Sequence, residues 1–125
     1  MLDYVTVGTN NLKNAGEFYD AVLGVLGAKR SLEGERITKW SGKSGASIAV
    51  ITPFDKSLAT AGNGTMLSLN AGNPETVRAV HAKAIEMGGK DDGTPGPRGT
   101  GNFYGGYFHD LDGNKLVAFC MQEIK

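Results

Sequence analysis

Residues 4–28 can be laid on residues 66–90 at a constant offset of 62, without a gap, and this internal repeat limits the fold more than any other feature. Each stretch opens with a short alternating strand, Tyr4-Val5-Thr6-Val7 and Met66-Leu67-Ser68-Leu69. Each turns through small polar residues, with Asn11 on Asn73, and continues as an amphipathic helix. The apolar positions coincide: Ala15 with Val77, Phe18 with Val80, Val22 with Ala84, Leu23 with Ile85. Positions 15, 18, 19, 22 and 23 form the stripe of a helix resting on a sheet. Asn73, Pro74 and Glu75 are start signals for the second helix, and Gly88-Gly89 ends it.

After each helix come three strand-like stretches. The first half has 28–32, 36–40 and 46–52; the second has a weak stretch near Lys90, then 104–109 and 115–121. Asp110-Leu111-Asp112-Gly113-Asn114 joins the last two as a hairpin turn. The expected fold is α+β: two β-α-β-β-β modules, about 1–53 and 64–125, with a linker over about 53–64, in a single domain.

Neither module buries both faces of its own sheet. Strand parity assigns Val5, Val7, Leu67, Leu69, Leu116, Ala118 and Cys120 to the helix side. The opposite set is Tyr4, Thr6, Met66, Ser68, Asn70, Lys115, Val117 and Phe119, mixed in polarity as a cleft lining or a solvent-facing sheet would be. A neutral chain with 13 basic and 13 acidic residues has no electrostatic footprint for nucleic acid or anionic membrane. The opening MLDYVTVG is too short and acidic for a signal peptide, and no apolar run approaches a span of about 20 residues. One cysteine gives no internal disulfide, so a cytoplasmic protein is expected.

Glycine supplies 19 of the 125 residues, and eight of them lie in 88–106, with Pro95, Pro97, Arg98, Tyr104 and Tyr107. That segment reads either as a flap, with Arg98 meeting an anionic or carbonyl ligand, or as a connection whose glycines permit tight bends. Trp40 and Arg36 share a parity and line either a cleft or a dimer surface. His81 falls on the apolar stripe of its helix and reads as structural, and Cys120 as a small core residue. His109 and Asp110, as strand neighbours, face opposite sides and form no ready dyad.

The blocks DYVTVGTNNLKNAGEFYDAVLGVLG, PFDKSLATAGNGTMLSLNA, VRAVHAKAIEMGG and YFHDLDGNKLVAFC, in this order and spacing, resemble the vicinal oxygen chelate superfamily. That group contains glyoxalase I, bleomycin-resistance proteins and extradiol dioxygenases. The resemblance implies paired modules forming a curved mixed sheet with a cup-shaped cleft, often completed by dimerisation. In metal-dependent members four ligands come from inward strand positions. Here the resemblance places three of them on Tyr4, Met66 and Val117, and the fourth on Ile48, Val50 or a neighbour within 47–52, where no His, Asp or Glu occurs. A divalent ion has little reason to shed water for such a set, so no metal and no cofactor is expected.

The resulting expectation is a glyoxalase-like homodimer without the metal site, holding a small organic molecule. Tyr4, Thr6, Trp40, Met66, Ser68, Asn70, Arg98, Tyr104, Val117 and Phe119 are its candidate ligand-binding residues. Bleomycin-resistance members sequester a cationic drug, which would favour an acidic cleft; this chain is neutral. The alternatives are a lyase or isomerase related to lactoylglutathione lyase, a dioxygenase-like enzyme with a divergent site, and a dimer whose cup is filled by its own side chains.

Overall fold

The computed structural model describes residues 1–122. Both modules are present. The first runs β1 (Tyr4–Gly8), α1 (Leu12–Gly24), β2 (Lys29–Glu33), β3 (Ile37–Ser41) and β4 (Ser47–Ile51). The second runs β5 (Met66–Asn70), α2 (Pro74–Glu86), β6 (Lys90–Pro97), β7 (Phe103–His109) and β8 (Lys115–Met121). Each makes a four-stranded sheet of the same order, β1-β4-β3-β2 and β5-β8-β7-β6. In each, the first strand pairs in parallel with the last, Tyr4 opposite Ser47 and Met66 opposite Lys115. The other pairs are antiparallel.

The repeat is physical as well as textual. The Asn11 side chain accepts from the Asn14 N–H at 3.0 Å, and Asn73 accepts from Thr76 at 2.8 Å, satisfying one free donor at each helix start. The buried stripes are Ala15, Phe18, Tyr19, Val22 and Leu23 on α1, and Val77, Val80, His81 and Ala84 on α2. The helices themselves end in register, at Gly24 and Glu86, but the left-handed glycine that follows is offset by one residue. The left-handed glycine is Gly27 after α1 and Gly88 after α2, where the offset alone would pair Gly27 with Gly89.

Among the described residues no strand of one sheet touches a strand of the other; α1 and α2 pack together between the sheets, and the helix-side residues of both merge into one core. Polar bonds fasten the modules around it. The Tyr19 hydroxyl donates to Asp110 Oδ2 at 2.6 Å, and Asn114 Nδ2 donates to the Gly8 carbonyl at 3.0 Å. Asn10 pins the linker: its side chain donates to the Ala59 carbonyl and accepts from the Ala59 N–H, while its own N–H donates to Asp112. The linker lies so near the end of β1 that a Cβ on Gly8 would sit 3.0 Å from that of Ala59. Among the described residues no helix is long and apolar enough to cross a membrane.

Candidate functional site

The sheet faces turned away from the helices carry most of the candidate residues. On the first sheet, Tyr4 and Thr6 stand beside Ser47 and Ala49 of β4, with Lys39 and Ser41 of β3 beyond. Three hydroxyls cross this face as a row, with Ser31 Oγ 2.8 Å from Ser41 Oγ and Ser41 Oγ 2.6 Å from Ser47 Oγ. Tyr4 is 46% exposed, and the Lys39 ammonium lies 5.0 Å from its ring centroid.

On the second sheet the matching positions are Met66, Ser68 and Asn70 of β5 and Lys115, Val117 and Phe119 of β8. Beyond them lie Phe103, Gly105, Tyr107 and His109 of β7. Phe103 folds across Gly105 and stacks on Phe119, with centroids 5.3 Å apart and rings 6° from parallel. Only glycine allows this, since a Cβ at 105 would lie 2.6 Å from the Phe103 ring. Tyr107 has two cations near its ring, Arg98 at 5.5 Å and Lys115 at 5.3 Å. His109 is held at both nitrogens: Nδ1 lies 3.0 Å from the Gly113 carbonyl and Nε2 3.1 Å from Asp92 Oδ2. Lys115 reaches the same Asp92 oxygen at 3.2 Å. Lys115, then His109, hold the Asp92 carboxyl below its usual range. A cavity of about 570 Å³ lies between this cluster, Met66 and the linker end at 61–65. Asn70 is spent locally, accepting from the Gly72 N–H at 3.0 Å.

Two candidates face the other way. Trp40 is 1% exposed: its indole lies against Tyr19 and donates to Asp20 of α1 at 2.8 Å. Lys39 and Ser41 take the outward positions of β3, so alternation turns Trp40 to the core. Tyr104 is 8% exposed and lies in the same core, its hydroxyl accepting from Arg78 of α2 at 3.0 Å. Both are corrected from cleft lining to core. The flap reading of 88–106 is also corrected. Most of this segment is the edge strand β6 and the start of β7, with Gly93 and Gly96 at irregularities in pairing after Asp91. Prolines are tolerated there because an edge strand leaves one row of N–H groups unpaired. Arg98 follows β6 and donates to the Thr94 and Pro97 carbonyls. His81 ties α2 to β6, with Nε2 2.9 Å from Asp91, and packs edge-on against Phe108.

Ile48 and Val50 belong to the core, so neither is the fourth ligand position. Ala49 pairs with Thr6 as Val117 pairs with Ser68, which makes it the equivalent of Val117. The four positions are therefore Tyr4, Ala49, Met66 and Val117. A phenol, a methyl, a thioether and an isopropyl group do not fit a divalent ion that wants imidazole and carboxylate. Among the described residues no three His, Cys, Asp or Glu side chains gather to hold a metal ion.

A second cavity, of about 580 Å³, lies beside the linker near Arg36 and Thr52. The linker's Phe54 and Leu58, 86% and 81% exposed, border it, with the Arg36 guanidinium 5.4 Å from the Phe54 ring centroid.

Residues 1–118 match the family model of the Glyoxalase/Bleomycin resistance protein/Dioxygenase superfamily. A glyoxalase/bleomycin resistance protein from Albidiferax ferrireducens T118 is 35% identical, with a TM-score of 0.87 over 96% of this chain and 98% of that one. The hypothetical protein SA1046 from S. aureus is 24% identical, with a TM-score of 0.75 over 94% and 91%. The fosfomycin resistance protein FosX from Mesorhizobium loti shares the fold at 14% identity, with a TM-score of 0.71 over 96% and 91%. No functionally curated protein matches the chain.

Proposed function

Because the chain belongs to the glyoxalase/bleomycin resistance protein/dioxygenase superfamily, we propose that it is a cytoplasmic small-molecule-binding homodimer that works without a metal ion. The observation that carries this reading is the chemistry of Tyr4, Ala49, Met66 and Val117, two exposed and two buried side chains that together make no ligand set for an ion. Around these positions stand the exposed Tyr4, Thr6 and Ser68 and the half-buried Phe103–Phe119 stack, groups suited to holding an organic molecule.

The arrangement of the sheets supports a dimer. The outer faces of the two modules do not meet within one chain, since the helices lie between them. A cup that joins Tyr4 and Thr6 to Met66, Ser68, Val117 and Phe119 therefore needs the first module of one copy against the second module of another. The exposed Phe54 and Leu58 of the linker give such a pairing further apolar surface to cover.

A lyase or isomerase needs a proton carrier on these faces. His109 already has a partner at each ring nitrogen, and Tyr4 lies beneath Lys39, so neither is poised to act as a base.

The test is sedimentation and metal analysis of protein purified without chelator, followed by assay with methylglyoxal and glutathione in added nickel or zinc. A dimer with no stoichiometric metal and no turnover is expected. A near-stoichiometric transition metal, or turnover, would overturn the metal-free reading; a monomer at all concentrations would overturn the shared cup.

A further inference from the structure

From the distribution of charge, we infer that the outer face of the second sheet selects small organic anions with a flat apolar body. The inference rests on the small-molecule reading above and names the class of molecule.

The chain is neutral as a whole, yet its strands are not neutral on both sides. Within the strands, Lys39 and Lys115 face outwards, and register adds Lys29 opposite Ser41 and Lys90 opposite His109. Arg98 joins them at the end of β6, over Tyr107. Against these five cations stands one outward strand carboxylate, Asp92. The other two strand carboxylates lie on the helix side of their sheets, solvent-exposed and already paired, Glu33 with Arg30 and Asp91 with His81. Neutrality of the sequence thus conceals a basic outer surface on each sheet.

The second sheet combines this charge with a platform. Phe103 and Phe119 present a stacked aromatic surface, and Tyr107 stands nearby in β7 with Arg98 and Lys115 at its ring. Among the described residues no carboxylate pairs with Arg98, whose guanidinium is fixed by two backbone carbonyls. Lys115 shares its one carboxylate with His109. An incoming carboxylate or phosphate-type group would therefore find cations short of counter-charge, at the edge of a surface fitted to an aromatic or flat aliphatic body. A cation of the same shape would meet the same platform with repulsion at its charged end.

The experiment uses the full chain, labelled for NMR, and three probes of one shape: 2-naphthoate, 2-naphthylmethanol and 2-naphthylmethylammonium. Naphthoate is expected to bind about tenfold more tightly than the alcohol, to shift resonances of β7 and β8, and to weaken as salt is raised. The ammonium probe should bind weakest. Lys115→Gln and Arg98→Gln should each weaken naphthoate by about five- to tenfold while leaving the alcohol unchanged. Lys13→Gln, on α1, should change neither. Equal binding of naphthoate and the alcohol at this face would overturn anion selection and leave the small-molecule reading standing. Preference for the ammonium probe would do the same. If no probe shifts the outer-face resonances of either sheet, both readings fall together.

Discussion

Tyr19 and Asp110, one on the first module's helix and the other at the second module's hairpin turn, share a 2.6 Å hydrogen bond in the interior of the molecule. The same carboxylate accepts from the backbone N–H groups of Asp112 and Asn114 and from Asn114 Nδ2. Four donors on one buried acid make it the junction between the halves. Tyr19→Phe removes the donor that crosses between modules and should lower stability by about 1.5–3 kcal/mol, the range for a bond to a charged group. Urea unfolding of the two proteins checks this, and a loss under about 0.5 kcal/mol would show that the junction does not depend on Tyr19.

Burial, and then the Asp110 charge, push the Tyr19 phenol well above its ordinary value. The unfolded phenol loses its proton near pH 10 while the folded one keeps it. The bond's contribution is therefore complete below that point and is lost as pH rises beyond it. Stability of the native protein should fall more steeply above about pH 10 than that of Tyr19→Phe. Parallel alkaline limbs for the two proteins would contradict this.

At the acid end the sign reverses. The hydrogen bond from Arg30 lowers the Asp20 carboxyl, so its contribution is present above the unfolded value near pH 4 and fades as pH falls through the folded one. Asp20→Asn should lose stability at neutral pH and show a flatter acid limb below about pH 4. The same substitution replaces the charged acceptor of the only tryptophan with a neutral amide, so a change in Trp40 emission should accompany it.

Two glycines should respond in opposite directions. A Cβ on Gly89 would lie 2.7 Å from the His109 carbonyl oxygen and 2.8 Å from that of Ala84, where backbone cannot yield cheaply. Gly89→Ala should cost about 1–3 kcal/mol. A Cβ on Gly24 meets nothing within 4 Å, and this residue closes α1 in helical conformation. Gly24→Ala should stabilise by about 0.5–1 kcal/mol. Thermal unfolding of both variants tests the pair.

Asn10 holds the linker to the first module by two bonds from its side chain. Asn10→Ala should leave the two sheets intact while raising the rate of limited proteolysis within residues 53–64. Unchanged cleavage would mean that apolar packing alone holds the segment.

Legibility in the sequence followed the strength of each pattern. The repeat, both helix stripes and the Asp110–Asn114 turn were readable because periodicity, caps and turn residues agree there. The outward parity of Tyr4, Thr6, Met66, Ser68, Val117 and Phe119 was likewise readable from alternation. Trp40 was not, since Ile37-Thr38-Lys39-Trp40-Ser41 alternates without showing which face is inside; the Asp20 acceptor that draws the indole inwards lies 20 residues away. The 88–106 segment misled because glycine and proline mark loops and irregular edge strands alike. The Phe103–Phe119 platform and the crowding of Arg98 and Lys115 around Tyr107 come from register and the gap at Gly105, which composition does not record.

Sheets whose outer faces never meet within one chain also set a rule for assembly. Every contact between a first sheet and a second sheet is heterologous and leaves one face of each kind uncovered. A rotation that closes on itself, the two-fold being the simplest, satisfies every such contact and completes the set. A rotation that does not close would pass the unmatched face to the next molecule and grow a filament. The angle at which α1 and α2 hold the modules apart, maintained by Tyr19 and Asp110, therefore decides between a finite particle and an open polymer.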